Sequence, residues 1–217
     1  MDSLETPNVE EKGLREFGQI AGVILGAGGS KRMGQPKQLI NWQGVPFIAQ
    51  VAINALEAGL MPLIVVTGAD QDIIKEALKH LPVHFVHNPN WAAGMSSSMQ
   101  AGLRELPQNC DIVMFLLSDQ PQISPLLIRQ LLERYARNQG QITAPLVGAQ
   151  RGNPVLFCRA TFNSLMQVQG DKGGRGVFSQ YDVDWLPWMD DRIMMDVDKA
   201  GDEKTLQEAY FPLESVE

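Results

Sequence analysis

The chain has 217 residues, of which 44% are hydrophobic and 20% are charged, a composition typical of a soluble globular protein with a complete core. Its net charge of −7 argues against partners that require a basic field, namely nucleic acid and anionic membrane surfaces. No apolar run reaches the length of a membrane span, and residues 1–18 are polar rather than signal-like. We therefore expect a cytoplasmic protein.

The first part of the chain predicts an alternation of strands and helices. Residues 1–18 have no apolar periodicity, so we expect a loose N-terminal extension ahead of a single domain over residues 19–217. The predicted elements that follow are Ile20–Leu25, Pro46–Ala58, Leu63–Thr67, Asp70–Lys79, Val83–Val86, Met95–Leu106, Ile112–Leu117 and Pro125–Asn138. Short apolar strands between helices of this length predict an α/β fold with a mostly parallel sheet that is covered on both faces.

The pattern loosens after residue 140. Strands are predicted at Ile142–Leu146, Val155–Phe157 and Val183–Leu186, and short helices at Thr161–Val168 and Gly174–Gln180. In open α/β sheets, ligands bind outside the carboxyl ends of the strands. The glycine-rich loop after the first strand and the aspartate after the fourth strand both lie at such ends.

The loop after the first strand is the most informative segment, and it reads Leu25-Gly26-Ala27-Gly28-Gly29-Ser30-Lys31-Arg32-Met33-Gly34-Gln35-Pro36-Lys37. Its glycines allow the backbone to approach a phosphate, and consecutive amides in such a turn form an anion-binding concavity. Arg32 adds a planar donor fork and Lys37 a compact charge, a pair that suits a triphosphate. The loop therefore predicts a nucleoside triphosphate site, although a plain connector between a strand and a helix also uses glycine freely.

Two common glycine motifs do not fit this loop. Counted from Gly26, the third glycine position of a dinucleotide-binding G-x-G-x-x-G motif is Lys31. Gly29 and Gly34 have the spacing of a P-loop, but Gln35 and Pro36 stand where that motif needs Lys and Ser or Thr. The sequence thus argues against a Rossmann oxidoreductase and against a P-loop enzyme.

Carboxylates at two places are candidate ligands for Mg²⁺. Asp119 directly follows the apolar strand that ends at Leu117, and Asp196 and Asp198 alternate on one face of an extended segment. Magnesium usually takes one or two protein carboxylates and completes its octahedron with phosphates and water. A single aspartate at such a position is as often a turn or cap residue, but Asp119 together with Asp198, opposite a cationic loop, favours a metal site.

Three further segments have polar or glycine-rich sequences that suit ligand binding. Gly94-Met95-Ser96-Ser97-Ser98 begins a predicted helix and offers hydroxyls and backbone amides, although one serine would suffice as a cap. Gly152-Asn153-Pro154 precedes a strand. Gly170-Asp171-Lys172-Gly173-Gly174-Arg175 is either a solvated turn or a site for an anionic acceptor.

Taken in order, these segments resemble the MobA-like nucleotidyltransferases, and most closely the molybdenum cofactor cytidylyltransferase branch. The resemblance rests on L-G-A-G-G-S-K-R-M-G-Q-P-K, V-T-G-A, N-P-N-W-A-A-G-M-S-S-S, S-D-Q-P, G-N-P-V-L-F, G-D-K-G-G-R and D-V-D, and spans about residues 21–202. It implies a Rossmann-like, three-layer domain that transfers a nucleoside monophosphate from a triphosphate to a phosphorylated pterin. Pyrophosphate is the second product.

The resemblance also implies roles for individual residues. Arg32, Lys37 and Asp119 would be catalytic, and Asp119 and Asp198 would bind Mg²⁺. The nucleotide-binding residues would be Leu25, Gly26, Ala27, Gly28, Gly29, Ser30, Arg32, Gly34, Lys37, Gly68, Ser97 and Ser118. The acceptor-binding residues would be Gly94, Met95, Ser96, Gly152, Asn153, Asp171 and Arg175.

One position departs from the family, since Gly26 stands where the loop usually has alanine, while Ala27-Gly28 still resembles the form that prefers CTP. The expected ligands are therefore CTP and a phosphorylated pterin, with a molybdoenzyme or its maturation chaperone as a candidate protein partner. Three alternatives remain open at this point. They are transfer of guanylyl or another nucleotidyl group, a sugar-phosphate acceptor, and a non-catalytic protein that carries nucleotide or cofactor.

Overall fold

In the computed structural model, which describes residues 20–29, 36–199 and 201–211, strands and helices alternate along the chain. The strands are β1 (Ile20–Gly26), β2 (Asn41–Trp42), β3 (Val45–Pro46), β4 (Leu63–Thr67), β5 (His84–His87), β6 (Ile112–Leu117), β7 (Ile142–Val147), β8 (Gln150–Arg151), β9 (Val155–Cys158) and β10 (Val183–Pro187). The helices are α1 (Phe47–Glu57), α2 (Gln71–Ala77), α3 (Met95–Arg104), α4 (Pro125–Asn138), α5 (Phe162–Leu165) and α6 (Asp202–Tyr210).

The strands other than β2 and β3 form one sheet in the order β10-β7-β9-β6-β1-β4-β5, with β8 paired to β7. β1 lies between β4 and β6 and is parallel to both, and β5 continues the parallel arrangement beyond β4. β9 runs antiparallel to its neighbours β6 and β7, and the two-residue β8 is antiparallel to β7. The predicted α/β fold with a mostly parallel sheet is confirmed, and β9 is the strand that reverses direction inside the sheet.

The sheet is buried on both faces because its central strands are almost continuously apolar. On β1, Ile20 and Ile24 pack into the core on one side, whereas Ala21 and Val23 pack into the core on the other. Alternate residues of a strand point to opposite faces, so a continuous apolar run supplies both cores. Helices α1 and α4 cover the first side and α3 covers the second.

Local sequence signals explain where two of these helices begin. Ser124 precedes α4, and its hydroxyl accepts a hydrogen bond from the Leu127 amide at 3.2 Å, while Pro125 occupies the first helical position. Helix α3 follows Gly94, whose φ of 104° lies in the region that favours glycine. Gly102 then lets α3 lie close to the sheet, because an added Cβ would be 2.5 Å from a methyl group of Val23.

A smaller group of buried residues, the C-terminal cluster, joins the end of the chain to the segment that follows the glycine-rich loop. Its members are Ile40, Trp42, Phe47, Val197 and Leu206. The cluster places Asp198 beside the turn that carries Lys37. No helix in the described part of the chain has the length and apolar character that crossing a bilayer requires.

Two parts of the predicted pattern differ in the structure. The predicted helix at Gly174–Gln180 is a run of 3-10 turns over Gly170–Gln180, interrupted at Gly173 by a φ of 53°. The C-terminal helix α6 and the short β2–β3 pair have no counterpart in the prediction. The predicted extension at residues 1–18 lies outside the described residues.

Candidate active site

The carboxyl ends of the parallel strands form one edge of the sheet, and the predicted site segments lie along it. Residues 27–29 follow β1, Gly68 follows β4, and Ser118 and Asp119 follow β6. Because β9 is antiparallel to β6, with Val155 paired to Phe115, the segment at residues 152–153 reaches the same edge just before its strand begins. The reversed strand thus brings a segment from late in the chain to the edge of the sheet at which the glycine-rich loop begins.

A cleft of about 500 Å³ opens along this edge. Its wall combines backbone of the glycine-rich loop, one lysine, three carboxylates and the start of α3. The lining residues are Leu25, Ala27, Gly28, Gly29, Lys37, Gln38, Trp91, Ala92, Gly94, Met95, Ser98, Leu117, Ser118, Asp119, Asp171 and Asp198. Its size and its position at the strand ends are those of a small-molecule site in an open α/β sheet.

Two side chains, those of Gln38 and Trp91, support the described part of the glycine-rich loop. The buried Gln38 side chain lies 3.2 Å from the carbonyl oxygens of both Gly26 and Gly28, toward which its amide nitrogen donates. The Trp91 ring covers Gly29, where an added Cβ would lie 3.1 Å from the indole. These contacts hold the backbone of residues 26–29 in one shape, so the amides there are available to a phosphate without rearrangement.

Gly68 is the position where a single methyl group would disturb this loop most. A Cβ there would lie 2.3 Å from the Ala27 carbonyl oxygen and 2.8 Å from the Trp91 ring. Relief of that overlap requires a shift of about 1 Å, and misplacement of that size costs on the order of 10²-fold in rate. We expect Gly68→Ala to lower turnover accordingly in the nucleotidyl transfer that the sequence resemblance implies, measured as pyrophosphate release.

Gly22→Ala is the matched control, because its Cβ would meet a flexible methyl of Leu63 at 2.7 Å, inside the sheet and away from the cleft. It should lower the melting temperature and leave turnover near wild type. Equal turnover in both variants would show that the Gly68 contact does not shape the loop.

Lys37 and two acidic side chains, Asp119 and Asp198, line the cleft together. The Lys37 Nζ lies 2.5 Å from Asp198 Oδ1, and the Asp198 side chain remains 62% exposed. Burial raises the pKa of Asp119 above its usual range, the Lys37 charge opposes that shift, and the charges of Asp196 and Asp198 add to it. A bound cation would stabilise the ionised form of a carboxylate that is desolvated and surrounded by like charges.

These residues fit a divalent cation that is also bound by substrate. No group of three or more His, Cys, Asp and Glu side chains suited to a metal exists within residues 20–29, 36–199 and 201–211. Asp119 and Asp198 both line the cleft, whereas Asp196 does not. Two carboxylates are the usual protein share of a Mg²⁺ site, in which phosphates and water supply the other ligands.

A second cavity of about 180 Å³ adjoins the cleft and has a different chemistry. The two share Leu25, Met95, Leu117 and Asp171. The remaining walls are mainly aromatic, sulfur-containing and cationic, namely Met99, Phe115, Arg151, Gly152, Asn153, Val155, Phe157, Lys172, Gly174, Arg175 and Phe178. The Arg151 guanidinium stacks over the Phe178 ring at 5.2 Å. Such a cavity suits a flat, largely apolar group that carries a negative charge.

The start of α3 and the turn at residues 170–171 are fastened together between the two cavities. The Ser96 hydroxyl donates to the Gly170 carbonyl oxygen at 2.7 Å, and the Met95 amide donates to Asp171 Oδ1 at 3.2 Å. Gly94 lies so close to this turn that a Cβ would be 2.6 Å from the Gly170 carbonyl carbon. The two segments therefore form one rigid wall that both cavities share.

The structure brings most of the predicted site residues together. Leu25, Ala27, Gly28, Gly29, Lys37, Ser118, Asp119 and Asp198 line the cleft, as do Gly94, Met95 and Asp171. Gly152, Asn153 and Arg175 line the second cavity. Ser30, Arg32 and Gly34 lie outside the described residues.

Four predicted residues lie near the cavities without lining them. Gly26 and Gly68 support the loop, and Ser96 fastens the wall. The Ser97 hydroxyl is turned into its own loop, 2.8 Å from the Gly94 carbonyl oxygen and 2.8 Å from the Asn88 amide nitrogen. Ser98 lines the cleft instead, because the helical turn rotates consecutive side chains by about 100°.

Sequence patterns also missed several residues that line the cavities, and six of these are glutamine, methionine or aromatic side chains. They are Gln38 and Trp91 in the cleft and Met99, Phe115, Phe157 and Phe178 in the second cavity. The methionine and aromatic residues among them occur in the same sequence pattern as core residues. No local signal therefore distinguishes a residue that lines a cavity from one that is part of the core. Gln38 could have been found, since a polar side chain between a glycine-rich loop and an apolar run suggests a backbone contact.

Comparison with known proteins agrees with this geometry. The model of the MobA-like NTP transferase domain matches residues 22–185. Nicotine blue oxidoreductase of Paenarthrobacter nicotinovorans is 27% identical over 88% of this chain and 95% of its own length. Molybdenum cofactor cytidylyltransferase of Escherichia coli K12 is 25% identical over 87% of this chain and 95% of its own length.

A solved structure is similar over the same range. Rv0371c of Mycobacterium tuberculosis H37Rv, in a complex with manganese, has a TM-score of 0.74 and 26% identity over 88% of this chain and 99% of that one. The family model covers most of the chain, including the start of the glycine-rich loop and the strands on which the cleft lies. The chain belongs to the MobA-like NTP transferase family of nucleotidyltransferases.

Proposed function

We propose that this nucleotidyltransferase transfers CMP from CTP to the phosphate of a molybdopterin-type pterin and releases pyrophosphate. One observation carries the proposal: a cleft with a glycine-rich loop, Lys37, Asp119 and Asp198 opens directly into an aromatic cavity with cationic residues at its walls. The cleft suits a metal-bound triphosphate, and the aromatic cavity suits a flat, phosphorylated acceptor. The cytidylyl assignment is supported by Ala27-Gly28 and by the full-length match to a cytidylyltransferase.

In this reaction an oxygen of the acceptor phosphate attacks the α-phosphorus of CTP. The new phosphorus–oxygen bond forms as the bond to the bridging oxygen of the pyrophosphate breaks. A phosphate monoester is already ionised near neutral pH, so no side chain is needed as a general base. The loop amides and Lys37 hold the β- and γ-phosphates, and Arg151 or Arg175 at the second cavity holds the acceptor's negative charge.

Asp119 and Asp198 are the residues that would hold Mg²⁺. When bound, the cation would neutralise the negative charge of the phosphates. The chain's own contribution is positioning, because the cleft, the fastened wall at residues 94–96 and 170–171 and the second cavity fix the two substrates relative to each other. The cytidylylated product is of the kind a molybdoenzyme or its maturation chaperone would receive.

The aromatic cavity favours a pterin over a sugar phosphate as the acceptor. A sugar ring is puckered and presents hydroxyl groups around it, whereas the polar groups of a pterin lie at the edge of a flat ring and leave its faces free to stack. Three phenylalanines and two methionines of the cavity offer stacking and dispersion instead. The non-catalytic alternative is disfavoured because Lys37, Asp119 and Asp198 all line one cleft.

The experiment is pyrophosphate release by the purified protein with Mg²⁺, a molybdopterin-type acceptor and CTP, GTP or ATP in separate reactions. We expect release with CTP and its loss when EDTA is added. Release with GTP instead would overturn the base assignment, and release only with a sugar phosphate would overturn the acceptor.

A second arm tests the activity that the Paenarthrobacter relative's name suggests. Oxidation of a reduced nicotinamide cofactor by an electron-accepting dye is followed by absorbance, without any nucleoside triphosphate. We expect none, because the loop lacks the third glycine of the dinucleotide motif. Dye reduction together with no pyrophosphate release in the first arm would replace the proposed function with an oxidoreductase.

A further inference from the structure

Two buried glutamines connect the turn that carries Asp119 to the segment that carries Asp198. Gln120 and Gln122 are each only 4% exposed. The Gln122 Nε2 donates to the Met195 carbonyl oxygen at 2.8 Å, and the Gln120 Nε2 donates to Asp196 Oδ1 at 3.4 Å. Both contacts cross from residues 118–122 to residues 195–198, over more than seventy positions of sequence.

Amide side chains from helix α1 also hold the turn at residues 118–122, on the side away from residues 195–198. Asn54 of α1 donates through Nδ2 to the carbonyl oxygens of Pro121 and Ile123, at 3.2 and 2.8 Å. Gln50 donates in turn to Asn54 Oδ1 at 2.8 Å. The turn is therefore clamped between a helix and the 195–198 segment by amide side chains rather than by apolar packing alone.

The stability of the fold alone does not explain why glutamine, rather than an apolar residue, occupies positions 120 and 122. Within the described part of the chain, Oε1 of Gln120 and Oε1 of Gln122 are buried without a hydrogen-bond partner. A buried polar atom in that condition is unfavourable, and a methionine of similar length would fill the space without that cost. The segment 195–198 is also anchored independently, because Val197 packs in the C-terminal cluster. The amide side chains are therefore not needed to attach residues 195–198 to the protein, but they set how that segment is oriented.

We infer that Gln120 and Gln122 are positioning residues that hold the Asp198 segment in register with Asp119, so that both carboxylates address one divalent cation. This inference rests on the proposed function, in which those carboxylates are the protein's share of the metal site. Residues that orient metal ligands without touching the metal commonly contribute 10- to 100-fold in metal affinity. We expect an effect of about that size here.

The test is a titration with Mn²⁺, followed by electron paramagnetic resonance, on the full chain, both alone and with a non-hydrolysable CTP analogue. Gln122→Met should bind Mn²⁺ at least about tenfold more weakly than wild type. Gln100→Met is the matched control. The Gln100 Nε2 likewise donates to two backbone carbonyl oxygens, those of Met166 and Val168, but it joins α3 to a segment away from the carboxylates. It should lose stability and keep its Mn²⁺ affinity.

The outcomes separate the inference from the proposed function. If wild type and Gln122→Met bind Mn²⁺ equally while the melting temperature falls, the glutamine is structural and the inference is wrong. If wild type binds no Mn²⁺ under either condition, the metal site fails, and the proposed function and the inference fail together. Should Gln122→Met not fold, Gln122→Asn retains the amide but shortens its reach, and the same weakening is expected from it.

Discussion

Replacement of Asp119 by asparagine is expected to reduce turnover by on the order of 10²-fold or more, with a much smaller change in CTP affinity. The substitution keeps the shape of the side chain and removes the charge that the proposed cation needs during transfer. In the proposed arrangement, the glycine-rich loop and Lys37 make most of the contacts to the nucleotide, so the loss of Asp119 removes few of them. Pyrophosphate release at saturating CTP, together with equilibrium binding of CTP, measures the two effects separately.

The same substitution should not destabilise the metal-free protein. Because burial raises the pKa of Asp119 in the folded state, the folded protein binds this proton more tightly than the unfolded chain does. Ionised Asp119 therefore lowers stability at any pH above its folded pKa, and that loss is relieved as the pH falls through the folded pKa. Asp119→Asn should have a melting temperature at neutral pH equal to or above that of wild type, and the difference should shrink in acid.

Asp111→Asn is the control for both measurements. Asp111 lies just before β6, as Asp119 lies just after it, but it is exposed and pairs with Arg159 at 2.5 Å. Its substitution should leave turnover unchanged. Turnover near wild type in Asp119→Asn would show that this carboxylate does not serve the reaction, and the metal assignment would then be abandoned.

Replacement of Lys37 by methionine is expected to act in opposite directions on turnover and on metal binding. Turnover should fall by on the order of 10²-fold, because a preorganised cation at the leaving pyrophosphate is lost. Binding of Mn²⁺ without nucleotide should become stronger, because the ammonium that now lies 2.5 Å from Asp198 no longer competes for that carboxylate. Electron paramagnetic resonance titration and pyrophosphate release measure the two changes.

Lys79→Met provides the comparison, since Lys79 pairs with Glu76 on the protein surface and takes no part in the cleft. Neither quantity should change in that variant. Weaker Mn²⁺ binding in Lys37→Met would mean that Lys37 supports the carboxylates rather than competing for them. The proposed arrangement of the cleft would then need a different cation site.

The fold around β1, β4 and β6 could be predicted because the apolar sequence of each strand indicates by itself that the strand is buried. The apolar run of Ile20–Leu25 lacks the polar alternation of a half-exposed strand, so burial on both faces follows from its residues. Parallel strands place their carboxyl ends on one edge of a sheet. That rule is enough to predict that the glycine-rich loop and Asp119 lie together.

The second cavity could not be predicted in the same way. Phe157 lies on β9, which pairs antiparallel with β6, and Phe178 lies in the irregular segment at residues 170–180. Apolar residues on a strand indicate burial and say nothing about which neighbour they meet. The direction of β9 depends on pairings with β6 and β7, and only the folded sheet reveals it.

Residues that are neighbours in the chain suffice to predict the α/β class and the family, and they also single out the glycine-rich loop, Asp119 and Asp198, which line one cleft in the structure. Packing between distant segments brings Asp198, and not Asp196, to the wall of the cleft that also contains Asp119. Packing also sets an aromatic cavity beside that cleft. Local patterns do not encode these features, because they depend on long-range contacts such as those that seat Val197 in the C-terminal cluster.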